Sequence, residues 1–352
     1  MTQTSFFPDM PRVARALPLL GEQKDIRYFA SPSRSVLNSP AATGMGFWSI
    51  NPYVGCAFGC AYCYARYAHR YTTERLTSSD GASATAFGDE LPPWLAFERR
   101  IMIKHSAPAL LRSELARAGT LEALRNERMV IGTATDPYQP AERRYRITRG
   151  LLEVIAEQRG IGVTIITKSP LVTRDIDILT TIRDRSRLCV HVSLITVDRE
   201  LARRLEPRAP TPEARLRAIA RLRENDIEVG VNVMPVLPGI TDAPHQVDAL
   251  ICALAQVRAS YVGACALRLR ATARTRYLPF IAAEFPELES TYRRAYATGH
   301  QVGERYRSGL RARFKAVCER YGVAYGYPPT VDHQLGDAMS ADSQLALALE
   351  PS

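Results

Sequence analysis

From Phe47 onward the chain alternates short β-branched runs with stretches whose apolar residues recur every three or four positions. Six runs read as strands, near 47–52, 129–135, 162–167, 188–193, 228–234 and 260–267. Between them lie helical patterns such as ITRGLLEVIAEQ (147–158), RDIDILTTIRD (174–184), TPEARLRAIARLRE (211–224) and APHQVDALICALAQV (243–257). Strand and helix repeating at this spacing predict right-handed parallel βαβ units, an α/β protein. Six units suit a partial (β/α)6 barrel of the TIM type better than a flat doubly wound sheet, a choice the period alone does not decide.

The flanks read differently. Residues 1–45 are polar, proline-bearing and weakly periodic, which predicts an extended or partly ordered N-terminal extension. A core of 46–270 follows, with an insertion at about 72–98 that ends in Pro-Pro-Trp. RRIMIKHSAPALLRSELARAG (99–119) predicts an added strand and helix. Residues 271–352 read as a helical C-terminal extension, with helices over 287–299 and 301–322 and a loop-rich tail. No internal repeat stands out.

Composition narrows the function classes. The 352 residues and 46% hydrophobic content support a large packed core. No uncharged apolar run approaches 18 residues, so no membrane span is expected. Asp9, Pro11 and Arg12 interrupt any secretory-signal pattern, which predicts a cytoplasmic protein whose thiols stay reduced. Closely spaced cysteine in that setting argues for metal binding or catalysis before disulfides. The formal charge of +10 favours polyanionic partners, although basic residues are spread along the chain, with local density at 267–276 and 305–315.

One stretch carries the chemistry: N-P-Y-V-G-C-A-F-G-C-A-Y-C-Y, residues 51–64. Cys56, Cys60 and Cys63 form C-x3-C-x2-C directly after the first core strand, while Cys189, Cys252, Cys265 and Cys318 are isolated and read as ordinary buried thiols. Gly55 and Gly59 permit positive φ and close backbone approach, as a loop around a compact object requires. Three thiolates with His69 would make a four-ligand zinc site. Unliganded thiols are a second alternative. A [4Fe–4S] cluster answers the odd count, because three corners are held and one iron stays open.

The same spacing, with Tyr62 immediately before the third cysteine, resembles the radical S-adenosylmethionine (SAM) superfamily. N-P-Y-x-G-C (51–56), C-x-Y-C-Y-A-R (60–66), T-D-P-Y-Q-P (135–140), T-K-S (167–169), L-E-P-R-A-P (205–210) and P-V-L-P-G (235–239) are similar to the subfamily related to spore photoproduct lyase, the DNA-repair-photolyase-like proteins. The resemblance runs from about residue 25 to 330. It implies a partial barrel of the radical SAM type and a [4Fe–4S] cluster on Cys56, Cys60 and Cys63. It further implies reductive cleavage of SAM to a 5′-deoxyadenosyl radical that abstracts hydrogen from a substrate. A reducing donor such as flavodoxin or ferredoxin would supply the electron.

The resemblance also assigns expected roles. Tyr62 is expected to pack on adenine, Thr135 and Asp136 to face the SAM amino group, Lys168 to pair with its carboxylate and Ser193 to hydrogen-bond SAM. Asn232 inside an apolar strand needs a partner, which is SAM, substrate or a neighbouring strand. His191 shares a face with Ser193 and reads as a core histidine, while Glu206 and Arg208 read as cofactor contacts or a loop ion pair. Three substrate readings stand: nucleic acid (repair or base modification), a peptide or small metabolite, or no reaction at all in an iron–sulfur or zinc binding module. One departure is visible. G-T-A-T-D-P-Y-Q-P (132–140) lacks the cysteine hydrogen donor that spore photoproduct lyases carry in this segment, which argues against thymine-dimer reversal by that route.

Overall fold

The computed structural model describes residues 17–31, 33–68, 87 and 91–327. His69, most of the 72–98 insertion, the first sixteen residues and the tail from 328 lie outside them. The strands are β1 (Leu19–Gln23), β2 (Ile26–Ala30), β3 (Leu37–Asn38), β4 (Trp48–Ile50), β5 (Tyr53–Val54), β6 (Arg100–Ile103), β7 (Arg128–Ile131), β8 (Gly162–Thr167), β9 (Arg187–Ser193), β10 (Glu228–Val236), β11 (Tyr261–Ala266) and β12 (Ala324–Tyr325).

The six strands expected from the pattern are β4 and β7 to β11, all parallel and paired in the order β4-β7-β8-β9-β10-β11. β3 adds antiparallel to β4 at one edge, and β12 adds parallel to β11 at the other. Among the described residues β3 and β12 do not pair, so the sheet does not close into a barrel. Helices Ile147–Ala156, Ile176–Arg185, Pro212–Glu224 and Pro244–Gln256 follow successive strands, as βαβ crossovers must. Their starts are written in the sequence. The Thr211 side chain accepts from Ala214 N with Pro212 in the first turn, and Asp198 accepts from the amides of Glu200 and Leu201. The strands are buried on both faces, the condition of a parallel sheet covered by helices.

Two features depart from the sequence pattern. The second core strand stops at Ile131, because Gly132 turns the chain at φ +98°. A Cβ on Gly132 would lie 2.6 Å from Ile166 O, so only glycine allows the turn. Thr133 and Thr135 therefore leave the strand and enter a loop. The second departure is a small sheet, β1-β2-β6-β5, in which the β1–β2 hairpin pairs through β2 with β6, and β6 pairs antiparallel with β5. Its last strand delivers the chain into the cysteine loop. Beyond Arg270 helices Ala271–Glu284, Glu289–Ala295 and Glu304–Tyr321 pack on the outside, and β12 follows the last of them.

Candidate active site

The cysteine loop begins where β5 ends, at the C-terminal end of the parallel sheet, and the protein holds it from several sides. Gly55 (φ +87°) and Gly59 (φ +66°) supply its two left-handed positions. Gly55 O accepts from Thr135 Oγ1 at 2.6 Å and from Gln139 Nε2 at 3.0 Å, while Gln139 Oε1 takes Ala57 N at 3.0 Å. Cys56 N donates to Phe97 O at 2.9 Å. The Arg66 guanidinium donates to Cys60 O at 2.7 Å, to Trp94 O at 2.6 Å and to Glu98 at 2.7 Å. Ala61 N donates to Leu205 O at 2.9 Å and Phe58 O accepts from Arg208 N at 3.3 Å. The frame is polar and its backbone groups named here are paired, as a loop needs when buried.

All three thiols are free; Cys60 is buried, and Cys56 and Cys63 are partly exposed. Burial pushes the Cys56 thiol up to about 12, helped by Asp136 and Cys63. Burial likewise raises Cys60, against the Lys168 ammonium and with Glu206, Cys63 and Cys56. Burial also raises Cys63. Each thiolate would thus repel its neighbours, the situation a bound metal centre relieves by taking thiolates as ligands. Among the described residues no three His, Cys, Asp or Glu side chains are arranged to hold a single metal ion. A cluster asks for something else, one thiolate on each of three separate irons. The donor set therefore fits a cluster, and the zinc alternative rests on His69, outside the described residues.

The residues singled out in the sequence meet around this loop. Lys168 follows β8 with its side chain 17% exposed, and its ammonium lies 5.8 Å from the Tyr62 ring centroid and 3.9 Å from Glu206 Oε1. Burial works against that charge, but Cys60 and Glu206 outweigh it and hold the ammonium above its usual range. Ser193 ends β9 and stands opposite Asn232 of β10 in register. Asn232 Oδ1 accepts from Tyr327 OH at 3.0 Å. Thr135 and Asp136 serve the frame. Thr135 holds Gly55, and Asp136 accepts from Tyr138 N at 2.9 Å, Thr167 Oγ1 at 2.7 Å and Lys168 N at 2.7 Å. Burial raises the Asp136 carboxyl, opposed by those donors. His191 is fully buried with Nε2 2.7 Å from Tyr261 OH.

Several residues of the site carry no strong sequence signal. Arg215 lies on an amphipathic helix among other arginines, where it reads as surface, yet it is 1% exposed. Its guanidinium donates to Glu206 Oε2 and to Ser193 O, the latter at 3.0 Å, while the Tyr62 phenol donates to Glu206 Oε1. Glu206 is held below the usual carboxylate range: burial opposes this, and Arg215 and Lys168 prevail. Arg208 pairs instead with Asp25 of the hairpin at 3.1 Å. Gln139 sits in the quoted T-D-P-Y-Q-P segment, which was the available cue.

Comparison with known proteins agrees with the geometry. Residues 50–250 match the family model of the radical SAM superfamily. An uncharacterised protein of Mycobacterium tuberculosis is 32% identical over 325 residues, covering 92% of this chain and 89% of its own. An uncharacterised protein of Methanocaldococcus jannaschii is 25% identical over 196 residues, covering 56% of this chain and 62% of its own. Among solved structures, a spore photoproduct lyase variant with bound AdoMet and dinucleoside spore photoproduct superposes with a TM-score of 0.58 at 15% identity, over 89% of this chain and 87% of that one. The chain belongs to the radical SAM superfamily. It is a radical SAM enzyme with the superfamily's α/β fold, and the superfamily's cofactors are a [4Fe–4S] cluster and SAM. Among the described residues no helix is long and apolar enough to cross a membrane.

Proposed function

We propose that Cys56, Cys60 and Cys63 hold the cluster, that SAM lies between Tyr62, Lys168, Ser193 and Asn232, and that the substrate is a nucleic acid. The observation that carries the site reading is the ammonium of Lys168, half enclosed between the Tyr62 ring and Glu206 beside a loop bearing three free thiols. Bound there, a reduced [4Fe–4S] cluster supplies the electron for reductive cleavage of SAM and hence the hydrogen-abstracting radical. The residues of this chain do the rest. Lys168 offers a cation to the SAM carboxylate, Tyr62 an aromatic face to adenine, and Ser193 and Asn232 polar groups at the ends of neighbouring strands. Thr135, Asp136 and Gln139 keep the loop and Lys168 in place. Strands β7 to β11 are largely buried, which limits the access of water, as a carbon radical requires.

Two facts support a nucleic-acid substrate. The chain carries a formal charge of +10, and the lyase variant whose fold superposes over 89% of this chain was solved with a bound dinucleoside spore photoproduct. The test is anaerobic reconstitution followed by SAM and dithionite, with deuterated DNA, RNA and peptide pools. Deuterium reaching 5′-deoxyadenosine from a nucleic acid is expected. Transfer only from peptide would overturn the substrate reading, and cluster absorbance without any SAM cleavage would overturn the site reading. Nucleic-acid affinity is expected to fall with salt, and a flat salt profile counts against phosphate contacts.

A further inference from the structure

The residues read above as SAM contacts share a hidden hub. Glu206 Oε1 accepts from the Tyr62 phenol and stands 3.9 Å from Lys168 Nζ, while Oε2 accepts from Arg215. Arg215 continues to Ser193 O at 3.0 Å and to Pro210 O at 2.9 Å. Main-chain bonds on both sides of Glu206, Ala61 N to Leu205 O and Arg208 N to Phe58 O, tie the same two segments together. Both members of the ion pair have side chains only 1% exposed.

We propose that the Glu206–Arg215 pair is a positioning element that fixes the Tyr62 ring, the Lys168 ammonium and the end of β9 as one preformed SAM subsite. The inference rests on the site reading of the preceding subsection. Stability alone does not account for such a pair, since well-packed apolar residues in place of a buried ion pair often serve the fold as well or better. What this pair has and an apolar substitute lacks is directed valence. One carboxylate collects a phenol, an ammonium and a guanidinium, and the guanidinium carries the arrangement to the next strand. The iron ligands have their own supports in Gln139, Phe97 and Arg66, so the hub governs the SAM subsite and not the cluster. Neither residue touches the reacting atoms; both act through Tyr62, Lys168 and Ser193.

Glu206→Gln alone strands a buried guanidinium, so the informative protein is Glu206→Gln with Arg215→Met. It removes both charges and leaves an amide oxygen for the Tyr62 phenol. In the reconstituted full-length double variant, iron content and far-UV circular dichroism are expected to match wild type. SAM affinity is expected to fall at least tenfold, and the change SAM induces in the spectrum of the reduced cluster to weaken in parallel. In a Lys168→Ala background the same two substitutions should cost less than threefold, because much of their effect passes through Lys168. Unchanged SAM affinity in the iron-loaded double variant overturns the inference. So does an equal tenfold loss in the Lys168→Ala background, the mark of a general structural defect. A wild-type protein whose cluster gives no response to SAM overturns the site reading, and this inference with it.

Discussion

Arg66 lies directly behind the cysteine loop, and its removal tests whether the loop is held by the protein or by its metal centre. Its side chain is 1% exposed and that of its partner Glu98 7%. The guanidinium also donates to Cys60 O and Trp94 O and lies 5.6 Å from the Phe97 ring centroid. Arg66→Met leaves Glu98 as an uncompensated buried charge, a loss of about 3–5 kcal/mol. The Cys60 carbonyl keeps its bond from Cys63 N, so losing the second donor there adds only about 1 kcal/mol. A total of about 4–6 kcal/mol is a large part of the roughly 5–15 kcal/mol that holds a domain folded. Arg66→Met with Glu98→Leu removes both charges and is expected to recover most of that loss. Denaturant unfolding of the apoprotein under reducing conditions reads the stability, and thiol titration reads the loop. The single variant should expose the three loop thiols to reagent and retain little iron, with the double variant in between. A single variant within about 1 kcal/mol of wild type, or a double variant no more stable than the single, would refute the reasoning.

Other outcomes follow from the same geometry. Gly55→Ala and Gly59→Ala both force a left-handed alanine, costing about 1–2 kcal/mol each. At Gly55 the new Cβ also meets the backbone oxygen of Phe97 at 2.8 Å, whereas at Gly59 it meets a side-chain atom, Glu98 Oε2, at 3.0 Å. Gly55→Ala should therefore lose more iron on reconstitution, and equal iron contents would contradict the contrast. Lys168→Ala should leave iron unchanged while weakening SAM binding about tenfold or more, the value of one charge-assisted hydrogen bond of about 1.5–3 kcal/mol; unaltered affinity in a titration refutes its role. Burial, with Arg128 adding to it, pulls the His191 imidazole down to about 3. The unfolded chain takes up that proton near pH 6.5, so His191 contributes stability present above 6.5 and lost as pH falls towards 3. Between pH 6.5 and 5 the loss is about 2 kcal/mol, and His191→Phe should flatten that part of the melting profile.

Much of the fold was legible because its signal is periodic. All six core strands lie within a few residues of their expected positions, and the helix expected at 211–224 starts at the Thr211 cap. Of the small sheet only β6 was legible, as the strand expected at the start of 99–119. Its strands are two to five residues long, too short for an alternation to stand out, and their pairing joins segments some seventy residues apart. The end of β7 was misplaced for a reason of packing: Ile166 O crowds Gly132, a contact no local pattern records. At the site the motif residues drew attention to themselves, but the residue that ties them together did not. Arg215 sits in RLRAIARLRE, where arginine spacing reads as a solvated face, and only the tertiary arrangement turns it inward onto Glu206.

The interior of the partial barrel bears on what size of substrate reaches the site. Below Ser193 and Asn232 the lumen is solid. His191 stacks on Tyr327 with ring centroids 5.4 Å apart, and Tyr261 meets both edge-on. Two strand glycines make room for these rings. A Cβ on Gly230 would come within 2.4 Å of the Tyr261 ring, and one on Gly263 within 2.8 Å of Tyr327. These rings pack together below Ser193 and Asn232, and the residues grouped around the cysteine loop lie at the C-terminal ends of the strands. A small metabolite engulfed by a deep cavity would have been served by an open lumen. On the proposed nucleic-acid reading, one unstacked nucleoside would enter above this aromatic floor while the phosphates stay outside.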